Sequence, residues 1–174
     1  MKELSLKTKL TKKLKKKNIL EICKLKNTQW KYGLKSQINW FNQNIKDNDI
    51  HNLAYLRKDL VGYCLLRKRN FFLKKKKYTY LYYDTLIVSK KYRELNIGHQ
   101  ISNLTVKTIK KLKLHSMLIC QKKIVSFHKK FNWKVMNKKK IQIIDHKFPK
   151  KFSIMCFNQT KKIKNKNINY YIFN

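Results

Sequence analysis

Leu86-Ile87-Val88-Ser89-Lys90-Lys91-Tyr92-Arg93-Glu94-Leu95-Asn96-Ile97-Gly98-His99-Gln100-Ile101 is the stretch whose reading fixes the fold. It opens with apolar, partly β-branched residues in the manner of a strand and turns charged in its middle. From Ile97 the apolar residues Ile97, Ile101, Leu104, Ile109 and Leu112 recur at mostly helical spacing. The stretch reads as a strand, a loop and a helix that starts directly after Gly98. A tight loop feeding a helix N-terminus turns successive backbone N–H groups outward at the positive end of the helix dipole, which suits a phosphate. Gly98 lets the backbone approach a phosphate closely, and Arg93 adds charge beside it. One glycine before a helix also serves as a plain cap, and the stretch alone leaves both readings open.

Upstream, three strand candidates, Ile50 to Arg57, Val61 to Phe71 and Tyr78 to Val88, are separated by the short polar links Lys58-Asp59 and Lys74 to Lys77, which predicts an antiparallel meander. Leu4 to Leu10 alternates as a first strand. Thr11 then stands where a cap would open a helix through Leu14, Ile19, Ile22 and Leu25. A second helix, from about Leu34 to Ile45, places Ile38, Phe41 and Ile45 on one face with Trp40 beside them, and Asp47-Asn48-Asp49 ends it as a turn. Downstream, the pattern predicts a short strand over Met117 to Cys120, a helix from about Lys123 to Phe131, and strands near Trp133 to Ile144 and Phe152 to Phe157. Residues 160–174 are rich in Lys and Asn and read as a loose tail or a last pairing strand. The chain contains no internal repeat.

A length of 174 residues with 43% apolar content suits one domain with a single core and excludes a wholly disordered chain. The formal charge of +36 would ordinarily point to nucleic acid. All but four of the 44 basic residues are Lys, however, and the chain holds one Ala, three Gly and one Pro. Those scarce residues rely on GC-rich codons while Lys, Asn, Ile and Tyr use AT-rich ones, so base composition accounts for much of the charge. The lysines are scattered through every segment, and no specific nucleic-acid partner is expected. Cys23, Cys64, Cys120 and Cys156 lie far apart, without a C-x-x-C pair or a His at ligand spacing, and read as buried thiols; no metal is expected. No apolar run reaches membrane-spanning length and no signal-peptide pattern opens the chain, so the expected location is cytoplasmic.

The Leu86–Ile101 stretch resembles motif A of the GNAT acetyltransferase superfamily, in which an L-x-V strand precedes a Y-R-x-x-G-x-G loop and a helix. Leu86, Val88, Tyr92, Arg93, Ile97 and Gly98 match in register, and Asn96 replaces the first loop glycine. Asn is the least penalised substitute where a left-handed backbone is required. Phe127-His128-Lys129-Lys130-Phe131-Asn132-Trp133 is similar to the family's F-Y-x-K-x-G-F signature, with Asn132 again replacing a glycine, here at a helix end. The two motifs with their flanks cover roughly residues 60–135.

The resemblance implies an α/β (α+β) fold with a mixed, largely antiparallel central sheet of about six to seven strands flanked by helices. The GNAT-like domain is expected over residues 1–159, with 160–174 as tail or last strand. It also implies acetyl-CoA as acyl donor, a small primary amine as acceptor, and a monomer or homodimer. Carried over residue by residue, the amides of Leu95, Asn96, Ile97, Gly98 and His99 hold the pyrophosphate with Arg93 beside them, and Ile87 and Val88 face the pantetheine arm. His128 stands where the family's frequent Tyr protonates the departing thiolate, and an imidazole of ordinary pKa near ~6.5 is competent for that; the other reading is a surface His on a basic helix. The N-terminal helices build the acceptor pocket in this family, which makes Gln29, Trp30, Tyr32, Trp40 and His51 candidates, with Tyr82 beside them. A base must deprotonate an ammonium acceptor, and Asp84, on the strand face it shares with Tyr82 and Leu86, is the candidate. An isolated carboxylate between aromatics has its pKa raised by desolvation; the alternative is a salt bridge. Two other functions stay open, a basic RNA- or ribosome-associated protein on the same scaffold and an acyl-CoA-binding domain without turnover. Within the transferase reading, an amino sugar, free or nucleotide-linked, is the preferred acceptor.

Overall fold

A computed structural model of the chain describes residues 4–147, 151–159 and 166–173. They group into two compact units, one formed by the chain up to Leu66 with Thr85–Thr105, the other by Arg67–Asp84 with the chain from Val106 onward. Strands β3 (Asp59–Leu73) and β4 (Lys76–Val88) each contribute to both, as does helix α3 (Ile97–Leu112).

In the first unit the strand order is β1-β2-β3-β4. β1 (Leu4–Leu10) pairs antiparallel with β2 (Ile50–Leu56) in register from Leu4↔Leu56 to Leu10↔Ile50, and β2 pairs antiparallel with β3. The predicted meander is therefore present. Alternation along β2 and β3 divides their residues between two layers. Leu53, Tyr63 and Leu65 pack with Ile22, Cys23 and Leu25 of α1 (Lys16–Gln29) and Phe41 of α2 (Leu34–Asn44) in one buried cluster. Asn52, Gly62 and Cys64 meet α3 instead: Asn52 Nδ2 donates to Thr105 Oγ1 at 3.0 Å, and Thr105 Oγ1 contacts Cys64 Sγ at 3.3 Å. A Cβ at Gly62 would lie 2.4 Å from Ile101 Cδ1 and 2.9 Å from Ile97 Cγ2, so the start of α3 depends on this glycine for its seat. Thr11 is not the cap of α1. It sits in a 3₁₀ turn, Thr11–Lys13, and its Oγ1 lies 2.9 Å from His51 Nε2. The helix opens five residues later because the Asn18 side chain accepts the Lys15 N–H at 3.2 Å.

In the second unit the order is β3-β4-β5-β8-β6. β4 pairs in parallel with β5 (His115–Gln121) from Tyr80↔His115 to Tyr83↔Leu118; that ladder stops there while β4 runs on to Val88. β8 (Phe152–Phe157) is antiparallel to both β5 and the two-residue β6 (Lys134–Val135). The strand expected over Trp133–Ile144 is broken, because Asn137 accepts the Lys139 N–H at 3.0 Å and holds a 3₁₀ turn, Lys138–Lys140, before β7 (Ile141–Ile143). The expected helix near Lys123–Phe131 is shorter, α4 (Val125–Lys129) after a 3₁₀ turn. The Asn- and Lys-rich C-terminal stretch contains a last strand, β9 (Ile168–Tyr170), antiparallel to β3 and parallel to β7. β9 closes a core of Phe71, Tyr80, Tyr82, Met117, Ile168, Tyr170 and Ile172. The described residues thus form a mixed, largely antiparallel sheet of nine strands, several of them two or three residues long, against an expectation of six to seven.

Candidate active site

The strand-loop-helix stretch folds as a connected device. At the end of β4 the Ser89 N–H donates to Val61 O at 2.8 Å, and a 3₁₀ helix, Lys90–Leu95, follows. Asn96 takes φ 53 and ψ 18, the left-handed conformation anticipated from its place at a family glycine, and α3 begins at Ile97. Gly98 therefore lies inside the first turn and not before the helix. Ile97 and Ile101 are buried to 1% and 0% exposure, so packing fixes the direction in which the helix N-terminus points. The Asn96 carbonyl accepts the His99 N–H at 3.1 Å and the Gln100 N–H at 3.2 Å. The His99 amide, one of the five expected phosphate donors, is thus engaged within the first turn of the helix. Arg93 is exposed and donates from Nη2 to Gln29 Oε1 at 3.1 Å, the last residue of α1.

Among the acceptor candidates of the first unit, Trp30 and Tyr32 are exposed, at 36% and 74%. His51 is not accessible and leaves the set. It is fully buried, with Nε2 against Thr11 Oγ1 and Nδ1 against the Tyr63 hydroxyl, both at 2.9 Å, and its ring stacks on Phe41. Burial, aided by the charge of Lys26, pushes its pKa down to about 3. Trp40 carries the Lys26 ammonium 3.7 Å above its ring centre, a packing role.

In the second unit, Asp84 is not isolated but makes a salt bridge, the alternative reading, with an arginine as partner in place of a lysine. Its Oδ2 accepts Arg67 Nη1 at 3.0 Å; the Arg67 side chain is 1% exposed and that of Asp84 19%. The reason is topological: β3 and β4 are neighbours, and Arg67 occupies a buried position of β3. Tyr82 is buried, and desolvation followed by the Asp84 charge raises its phenol pKa well above the ordinary value. Arg67 was missed by sequence reasoning. The available signal was that arginine persists at strand positions in a chain that otherwise uses lysine.

His128, on α4, is 5% exposed, neither at the surface nor ordinarily solvated. Tyr83, Phe127 and Trp133 surround its ring edge-on at 5.7, 5.3 and 6.3 Å. Its Nδ1 is buried without a hydrogen-bond partner among the described residues, and burial pushes its pKa down to about 4. The expected imidazolium is therefore replaced by a neutral ring near pH 7. Asn132, at φ 63, ends the helical segment in the left-handed conformation anticipated for it. An open groove of about 390 Å³ runs along Lys129, Asn132, Trp133, Lys134 and Val135. The four cysteines are buried free thiols, as read from the sequence. Among the described residues no helix is long and apolar enough to cross a membrane.

The acetyltransferase (GNAT) family model matches residues 18–133. No curated protein matches the chain in sequence. Among solved structures, the fold is shared with an acyl-CoA N-acyltransferase from Pseudomonas aeruginosa, at TM-score 0.66 and 12% identity, covering 88% of this chain and 99% of that one. It is shared with the GNAT family N-acetyltransferase YhbS from Escherichia coli in complex with CoA, at TM-score 0.69 and 10% identity, covering 97% and 91%. It is shared also with Arabidopsis thaliana Naa50 in complex with the bisubstrate analogue CoA-Ac-MVNAL, at TM-score 0.58 and 22% identity, covering 88% and 96%. The strand-loop-helix device, the sheet around it and a family match over most of the chain agree: this protein belongs to the GNAT acetyltransferase family, the acyl-CoA-dependent N-acyltransferases.

Proposed function

We propose that the chain transfers the acetyl group of acetyl-CoA to the primary amine of a small monoamine, with amino sugars, free or nucleotide-linked, as the first acceptor class. The observation that carries this reading is the left-handed Asn96, which delivers the 3₁₀ turn into the first turn of α3 and so presents consecutive backbone amides at a helix N-terminus. On this reading the amides of Leu95 to Gly98 take the pyrophosphate, Arg93 exchanges Gln29 for a phosphate oxygen, and the backbone of Ile87 and Val88 meets the pantetheine arm. The net charge of +36 attracts a multiply anionic donor and repels polycationic acceptors, which places neutral or anionic monoamines ahead of polyamines.

Asp84, oriented by Arg67, holds the acceptor ammonium and receives its proton, after which the amine nitrogen attacks the thioester carbonyl and the carbon–sulfur bond breaks. His128 serves the leaving thiolate as a neutral ring that donates an N–H hydrogen bond; the sulfur takes its proton from a water, which in turn receives the second proton of the attacking nitrogen. Trp30 and Tyr32 are the exposed aromatics of the first unit available to the acceptor. Most of the rate enhancement comes from holding amine and thioester together.

The test is calorimetry with acetyl-CoA followed by mass detection of acetylated products from glucosamine, a nucleotide-linked amino sugar, ethanolamine, a Met-Val peptide and spermidine. Acetylated amino sugar with spermidine untouched is the expected result. Binding without any product would instead make the chain an acyl-CoA-binding domain, and absence of binding would remove the loop assignment. The peptide product alone would move the acceptor class to protein N-termini, the acceptor type in the bisubstrate analogue held by Naa50.

A further inference from the structure

One of the chain's eight acidic residues, Asp145, holds a short C-terminal segment within the second unit. The Asp145 carboxylate accepts the Ile172 N–H at 2.9 Å through both oxygens and the Phe173 N–H at 2.7 Å. A carboxylate receiving successive backbone amides fixes the dihedral angles of the segment that carries them. The Phe173 ring it positions lies 5.0 Å from Arg67 Cζ on one side and 5.4 Å from the His146 ring on another. Arg67 is the residue that orients Asp84. Asp84, Arg67 and Asp145 all act electrostatically on the buried Tyr82 phenol, so these charges belong to one neighbourhood.

Exposure within this neighbourhood is graded. Phe173 is 36% exposed and the Asp84 side chain 19%, while Arg67 is 1% exposed. A guanidinium open to solvent beside Asp84 would repel an approaching ammonium. With Phe173 lying against the guanidinium, Asp84 is the more accessible charge of the pair.

Resting on the transferase reading, we propose that Phe173 is a specificity-determining residue of the acceptor site: held by Asp145 against Arg67, it keeps ligands off the guanidinium, whose charge Asp84 balances, and forms an apolar wall beside the Arg67–Asp84 pair. The site then selects monoamines whose nitrogen is borne on an apolar or ring-shaped carbon skeleton. Asp145 is a positioning residue that acts through Phe173.

Steady-state kinetics of the full chain with saturating acetyl-CoA, using cyclohexylamine and ethanolamine as probe amines, test this. Wild type should favour cyclohexylamine. Phe173→Ala should raise the KM for cyclohexylamine about tenfold relative to that for ethanolamine, with acetyl-CoA affinity unchanged. Phe173→Leu should restore most of the preference, and Asp145→Ala should reproduce Phe173→Ala while accelerating hydrogen exchange at the Ile172 and Phe173 amides. Equal KM changes for the two amines, or none, overturn the proposal. If wild type turns over neither amine, cyclohexylamine should still shift the Ile172 and Phe173 amide resonances of the ¹⁵N-labelled protein. Absence of that shift overturns the proposal too, whereas failure of the transferase reading appears separately as absence of acetyl-CoA binding in calorimetry.

Discussion

Asn96 and Asn132 stand where the family's two motifs have glycine, both adopt a left-handed backbone, and yet the regions they belong to behave in opposite ways. On the proposed reading, the loop around Asn96 offers its backbone. Any residue that tolerates the required dihedral angles preserves its chemistry, and Asn does so at modest cost. The segment that Asn132 ends offers, on the same reading, a side chain, His128, whose protonation is set by what surrounds it. Three aromatic rings and an unpartnered Nδ1 turn a residue expected to titrate near neutrality into a neutral one. Backbone sites are robust to substitution, whereas side-chain sites are remade by burial.

The largest expected effect that follows is on stability in acid. His51, His115 and His128 are all buried, with pKa values pushed down to about 3, 4 and 4. Folded-state values below the ordinary ~6.5 mean that the unfolded chain binds more protons, so the stability these groups contribute is full above pH ~6.5 and is lost as pH falls toward 4. Each imidazole adds a slope approaching ~1.4 kcal/mol per pH unit in that window. Denaturant unfolding between pH 7 and 4.5 should show the loss; an unchanged midpoint would mean the rings are solvated. Amides do not titrate, so acetyl-CoA affinity should hold over the part of this range where the chain stays folded.

Next in size is Gly98→Val, which adds a branched side chain in the first turn of α3. It should weaken acetyl-CoA at least tenfold by calorimetry, equivalent to about 1.4 kcal/mol. Unchanged affinity would remove the backbone reading of the loop. His128→Phe reverses the pattern. It removes a buried, unpaired nitrogen and should raise thermal stability by about 1 kcal/mol, while lowering kcat about tenfold through the loss of one hydrogen bond to the leaving sulfur. Lower stability or an unchanged rate would return His128 to packing alone. The smallest effect separates the two asparagines from ordinary residues. Asn96→Ala and Asn132→Ala should each cost about 1 kcal/mol in denaturant melts, and the glycine variants only a few tenths.

What was legible in the sequence follows the same division. The meander, the loop and both left-handed asparagines were readable because they depend on local pattern and dihedral preference. His51 was misread as an acceptor contact because its partners, Thr11 and Tyr63, lie 40 and 12 residues away along the chain. The partner of Asp84 was not legible because Arg67 meets it only across neighbouring strands. Phe173 and Asp145 carried no signal at all, since a capped turn beside a last strand has no periodicity. The break at Asn137 was hidden in a stretch whose apolar residues are compatible with one long strand.

The most direct test of the central claim, that this acyltransferase binds its donor through loop backbone, is a titration of the ¹⁵N-labelled protein with acetyl-CoA, read at the backbone amides. The account predicts that Leu95, Asn96, Ile97 and Gly98 shift together and saturably, with affinity insensitive to replacing scattered surface lysines. Shifts spread over the lysine-rich surface and abolished by modest salt, with these four amides unmoved, would contradict it.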